Sequence, residues 1–169
     1  MPVFKSVKDL EKYLKKQVED TLYKDVGEMV QDVQSIEIEK TVYSVYDPIM
    51  YDRRRESGGL KDKNNMRKHI HRRGDSVILK VINETKPSRG IHSKIGGSNY
   101  RLAELIEFGH GYSDGMQYDW VKNRRGDAYK YLKPRPFTER TINEIKNKKL
   151  HSKYMQQGLN QRGIDAVLM

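Results

Sequence analysis

The chain contains no cysteine, and that one absence removes disulfides, thiolate metal sites and a cysteine nucleophile together. No stretch approaches the roughly 20 consecutive apolar residues of a transmembrane helix. The opening MPVFKSVKDLEKYLKK also lacks the apolar centre of a signal peptide, so a soluble, unsorted protein without a membrane partner is expected. Trp and Phe are scarce, one and three against eleven Tyr, and hydrophobic residues make up 36% of 169 positions. That supply suits one modest core, so residues 1–169 are expected to form a single domain with long excursions. There are no internal repeats, heptads or low-complexity tracts.

Positive charge is abundant: 33 Lys and Arg stand against 23 Asp and Glu, a net +10. Its distribution matters more than its size. Residues 1–40 hold seven basic and nine acidic side chains, whereas residues 52–73 hold nine basic and three acidic ones, a local +6. Such an excess points to a polyanion or to an acidic protein surface.

Val7, Leu10, Leu14, Val18, Leu22, Val26, Met29 and Val33 recur at strides of three and four, which predicts a helix from a Ser6 cap to about residue 35. At about 1.5 Å per residue it is longer than a domain of this size covers, so part of it is expected to meet a neighbouring subunit. Gly27 within it reads as a tolerated glycine ahead of a bend or a close approach. Alternation of Ile36, Ile38 and Val42 against Tyr43 and Val45 predicts a strand over 36–46, and a second strand is expected over 77–83.

Between them, 47–75 reads as a basic loop or β-arm carrying Arg53, Arg54, Arg55, Lys61, Lys63, Arg67, Lys68, Arg72 and Arg73. These are the candidate contacts to a DNA channel or to a docking partner. Solvation of a charged loop is the bland alternative, and no aromatic run supports base stacking. A short helix is expected over 99–108, an irregular insert over 111–133, and a C-terminal helix after Pro134-Arg135-Pro136 with a bend near Asn147.

Catalytic patterns are weak. His69 and His71 would share a strand face but lack a third ligand, so solvated histidines are favoured over a metal site. His110 between two glycines, with Glu107 nearby, is explained as well by a helix C-terminus. The glycine pairs 58–59 and 96–97 match no phosphate-loop spacing. No enzyme activity and no cofactor are expected. A small ribonuclease using His110 or Tyr112 is the enzymatic alternative, and a free basic nucleic-acid-binding module is the other.

The run Ile106-Glu107-Phe108-Gly109-His110-Gly111, followed by Pro134-Arg135-Pro136-Phe137, resembles the tailed-bacteriophage head–tail joining and minor tail component family. The resemblance implies an α+β fold: a long N-terminal amphipathic helix, a small mainly antiparallel sheet, a short central helix and a C-terminal helix. It implies a neck protein of the virion, assembled in the host cytoplasm as a homo-oligomeric ring. The ring is commonly six-fold, with twelve copies possible, between portal or adaptor rings and the tail tube or tail terminator. DNA would pass through its centre, a tail terminator being the neighbouring assignment, and no catalytic residue is implied. Within the motif, Phe108 and Phe137 are expected to bury in one core, with Arg135 near Glu107 or the carbonyls at Gly109.

Overall fold

The computed structural model describes residues 3–45, 54, 57–74, 76–86, 102–108 and 134–167. The fold is α+β. Helix α1 (Val7–Thr21) starts at Ser6, whose hydroxyl oxygen accepts the Asp9 N–H at 3.2 Å, and a π-helical turn, Leu22–Val26, joins it to α2 (Gly27–Ile38). A second π turn, Glu39–Tyr43, continues from α2, with the Ser44 N–H donating to the Glu39 carbonyl at 2.9 Å.

The strand expected over 36–46 is therefore helical through Tyr43. Ile38, Thr41 and Val42 are buried at helical spacing while Ile36 is exposed, and the Thr41 hydroxyl donates to the Glu37 carbonyl one turn back. The β-branched alternation was coincidental with a 3.6-residue period. Each π turn adds a residue and rotates the buried stripe by about 100°.

Strand β1 (Met66–Arg73) lies inside the expected arm, and it pairs with β2 (Ser76–Asn83) in a two-stranded antiparallel sheet. Gly74 takes φ +59° after β1, a left-handed conformation that favours glycine. Among the described residues three further helices follow: α3 (Leu102–Phe108), α4 (Phe137–Asn147) and α5 (Leu150–Gln161). The expected bend near Asn147 is a break, with Lys149 left-handed at φ 50° between α4 and α5. Among the described residues no helix is long and apolar enough to cross a membrane.

The chain groups into two compact units. The first comprises Met1–Val33, Lys68–Val81 and Asn143–Met169. Its core is Val26, Met29 and Val33, against which Leu22, Val30, Leu79, Ile145, Leu150 and Met155 pack. Helix α5 approaches the α1 end closely at Gly158, where an added Cβ would lie 2.6 Å from Thr21 Cγ2. Gly27 is likewise a close approach, since a Cβ there would meet Lys68 Cδ at 2.6 Å.

The second unit comprises Gln34–Arg67 and Ile82–Ile142, with Ile38, Val42, Tyr43, Leu60, Met66, Ala103 and Phe137 buried. Side chains stitch its loops. Asn83 Nδ2 donates to the Leu60 carbonyl at 2.8 Å, and the fully buried Thr85 hydroxyl donates to Asn83 Oδ1 at 2.6 Å. The Leu102 N–H donates to the Thr85 carbonyl, fixing the start of α3.

Candidate functional site

The basic candidates converge on the hairpin, and its register sorts them. The Glu84 N–H donates to the Asn65 carbonyl at 2.7 Å, so residues whose numbers share the total of that pair lie opposite each other. His69 then faces Lys80, His71 faces Ile78, and Arg73 faces Ser76. All six are exposed and share one face, because side chains alternate along a strand. Lys68, Ile70, Val77, Leu79 and Val81 alternate with them as partly buried positions, and Arg72 shares that inner face.

On the inner face the cations are occupied. Lys68 Nζ sits 4.6 Å from the Tyr23 ring centroid, a cation–π contact, and its stem crosses Gly27. Arg72 forks onto Glu19 of α1, with Nη2 donating to Oε2 at 2.7 Å. That hydrogen bond holds the Glu19 carboxyl below its ordinary range, and burial opposes the shift. The same bond raises the Arg72 guanidinium. Glu19, Asp20, Tyr23, Ile70, His71 and Arg72 border a shallow depression.

The other candidates divide further. Arg54 donates to the Lys86 carbonyl at 2.6 Å, Lys61 pairs with Glu39 at 3.2 Å, and Arg67 reaches Glu84 at 4.0 Å. Lys63 begins a 3-10 turn, Lys63–Asn65, capped by Asp62. Hydrogen bonds from the Gly58 and Asn64 N–H groups hold the Asp62 carboxyl below its usual range. Arg53 and Arg55 lie outside the described residues, as do Gly109, His110 and the 111–133 insert. Of the nine basic candidates, Arg67 and Arg73 stand exposed on the outer face, Arg67 within 4.0 Å of Glu84. Lys80 and Ile78 on the same face were missed, although the period-two pattern of β2 marks them.

His69 and His71 lie with ring centroids 6.4 Å apart. Among the described residues no three His, Asp or Glu side chains group as metal ligands.

The Glu-Phe-Gly and Arg-Pro-Phe segments do meet, by a different device from the expected one. Phe137 is wholly buried, but Phe108 is 57% exposed, so the two rings do not share a core. Phe108 ends α3 on its outward side, and Glu107 makes the junction. The Thr138 N–H donates to Glu107 Oε2 at 2.8 Å and the Glu139 N–H to Oε1 at 3.2 Å, so one carboxylate satisfies two orphan donors at the α4 N-terminus. The Arg135 N–H adds a bond to the Ile106 carbonyl at 3.0 Å. Pro134 and Pro136 set the approach, and the Thr141 hydroxyl donates back to the Phe137 carbonyl.

A small α+β chain with a charge-sorted β-hairpin and a helix start capped from a distant helix is thus defined, and it is a phage-related protein. A family model matches residues 6–161, and the chain belongs to the YomN family, whose name derives from a Bacillus phage. No curated protein and no solved structure matches.

Proposed function

We propose that this chain is a structural component of a tailed-phage virion. In this reading it forms a ring in the neck that joins the head, on its portal and adaptor side, to the tail. It works through surfaces rather than catalysis. The observation that carries the reading is the apolar stripe of α1, in a chain of phage-related family. Val7 is 74% exposed, Leu10 and Leu14 are each 37% exposed, and Val3 ahead of them is 94% exposed. A row of apolar side chains at helical spacing gains by burial against another protein, at about 25 cal/mol per Å² of apolar area. Head-to-tail contacts between identical copies make a ring where the rotation between neighbours closes, the arrangement this reading requires.

Loss of the protein should leave filled heads and finished tails that fail to join, as read by electron microscopy of lysates from a null mutant. Empty or missing heads would assign it to packaging or capsid assembly instead. The basic hairpin favours a second reading, a free nucleic-acid-binding module. A monomer in solution whose loss leaves joined particles would select that alternative.

A further inference from the structure

We infer that the outward face of the β1–β2 hairpin, built from His69, His71 and Arg73 on β1 and Lys80 on β2, binds the phosphate backbone of duplex DNA. Binding through this face does not depend on the neck reading. The identity of the DNA as the phage genome does.

The charge sorting carries the inference. Lys68 and Arg72, on the inner face, are held by Tyr23 and Glu19. Arg73 and Lys80 are exposed, and no carboxylate among the described residues pairs with either. Segment 68–81 contains four Lys and Arg, two His and a single carboxylate, Asp75. Exposed cations in excess on one sheet face are a ready site for a polyanion.

The geometry favours DNA over an acidic protein. His69, His71 and Arg73 follow one another at about 6.6 Å, two strand rises, in a row along one face of β1. A duplex offers a matching continuous row, one charge per about 3.4 Å along each strand. The major groove of B-form DNA admits a two-stranded ribbon, whereas the groove of A-form RNA is too narrow. The face carries no Asn, Gln, Phe, Tyr or Trp, and its cations stand in an open row that meets the phosphates, contacts that position a duplex without reading its sequence.

The test measures binding of the purified full chain to a short random-sequence duplex across a salt series. Polyglutamate serves as the acidic-protein probe. Each phosphate contact contributes about −0.9 to the slope of log affinity against log salt. The R73S/K80S variant should therefore lose about 1.8 from the slope magnitude. Thermal melts verify that the variant folds. A slope unchanged in the variant overturns the proposal. Binding of polyglutamate without binding of the duplex also overturns it, in favour of an acidic protein partner. Duplex binding by a protein whose loss leaves heads and tails joined would sink the neck reading alone.

Discussion

Replacing Gly158 by alanine sets two opposing effects against each other, and the structure decides the sign. In an exposed helix the change would stabilise by about 1 kcal/mol, because alanine loses less backbone freedom on folding. Gly158 is buried within α5, and a Cβ built there lies 2.6 Å from Thr21 Cγ2, 2.7 Å from Asp25 Oδ2 and 2.9 Å from Asp25 Cγ. These neighbours cannot all yield. Thr21 is fully buried with a β-branched side chain that is stiff in a helix, and Asp25 Oδ2 is held 2.7 Å from Arg162 Nη1 in an ion pair. Relief requires α5 to retreat from α1, which loosens the packing of Leu150 and Met155 on the core. Overpacking of this kind costs about 1–3 kcal/mol, so the net change is a destabilisation of up to about 2 kcal/mol. Urea denaturation followed by circular dichroism measures it, and the melting temperature should fall by about 2–4 °C per kcal/mol. Adding Thr21→Ala removes the closest contact, so the double variant should lose less than the two single changes together. A Gly158→Ala protein that melts at or above the wild-type temperature would refute the close-approach argument.

Phe137→Ala should cost about 3–5 kcal/mol, because the ring is wholly buried, while Phe108→Ala should cost far less and combine additively with it; melts of the three variants check this. Glu107→Ala should destabilise by about 0.5–2 kcal/mol, the cost of a lost helix cap, and amide exchange at Thr138 and Glu139 should quicken; unchanged exchange would refute the capping role. The lowered Glu19 carboxyl contributes stability that is present above its unfolded value and lost as pH falls through its folded value. Arg72→Gln should therefore raise the Glu19 titration toward the ordinary carboxylate range in an NMR pH series, and flatten the acid limb of the stability profile.

Much of the architecture was legible because the core positions obey simple periods. The stride of three and four from Val7 to Val33 marked a helical stretch, realised as α1 and α2 about a π turn, and the Pro-Arg-Pro run before Phe137 announced α4. The misread strand over 36–46 came from β-branched residues whose helical spacing the π turns obscure, since a turn of five residues breaks the stride of three and four. Strand β1 hid for another reason. Its inner positions are Lys68, Ile70 and Arg72, and a hydropathy pattern sees no apolar face where long cationic side chains bury their stems and pair their heads. Glu107 was singled out by its motif, but its partners lie 31 and 32 residues onward, beyond the reach of any local pattern.

The same limit applies to charge. The excess of +6 over 52–73 counts the carboxylates inside the segment and none that folding brings to it. Glu39, Glu84 and Glu19 all lie outside that segment, and they meet Lys61, Arg67 and Arg72. Those three contacts halve the local excess. Exposed ion pairs of this sort are individually worth little stability, but they still cancel charge at the distances over which a partner senses it. Inside the segment, Asp62 binds the N–H groups of Gly58 and Asn64 rather than a cation. What remains to attract a polyanion is set by which strand face each cation occupies. A basic run therefore becomes evidence of a binding surface only after the fold's own carboxylates have been subtracted, and on the hairpin that subtraction leaves Arg73, joined by Lys80 from the other strand, on the outward face.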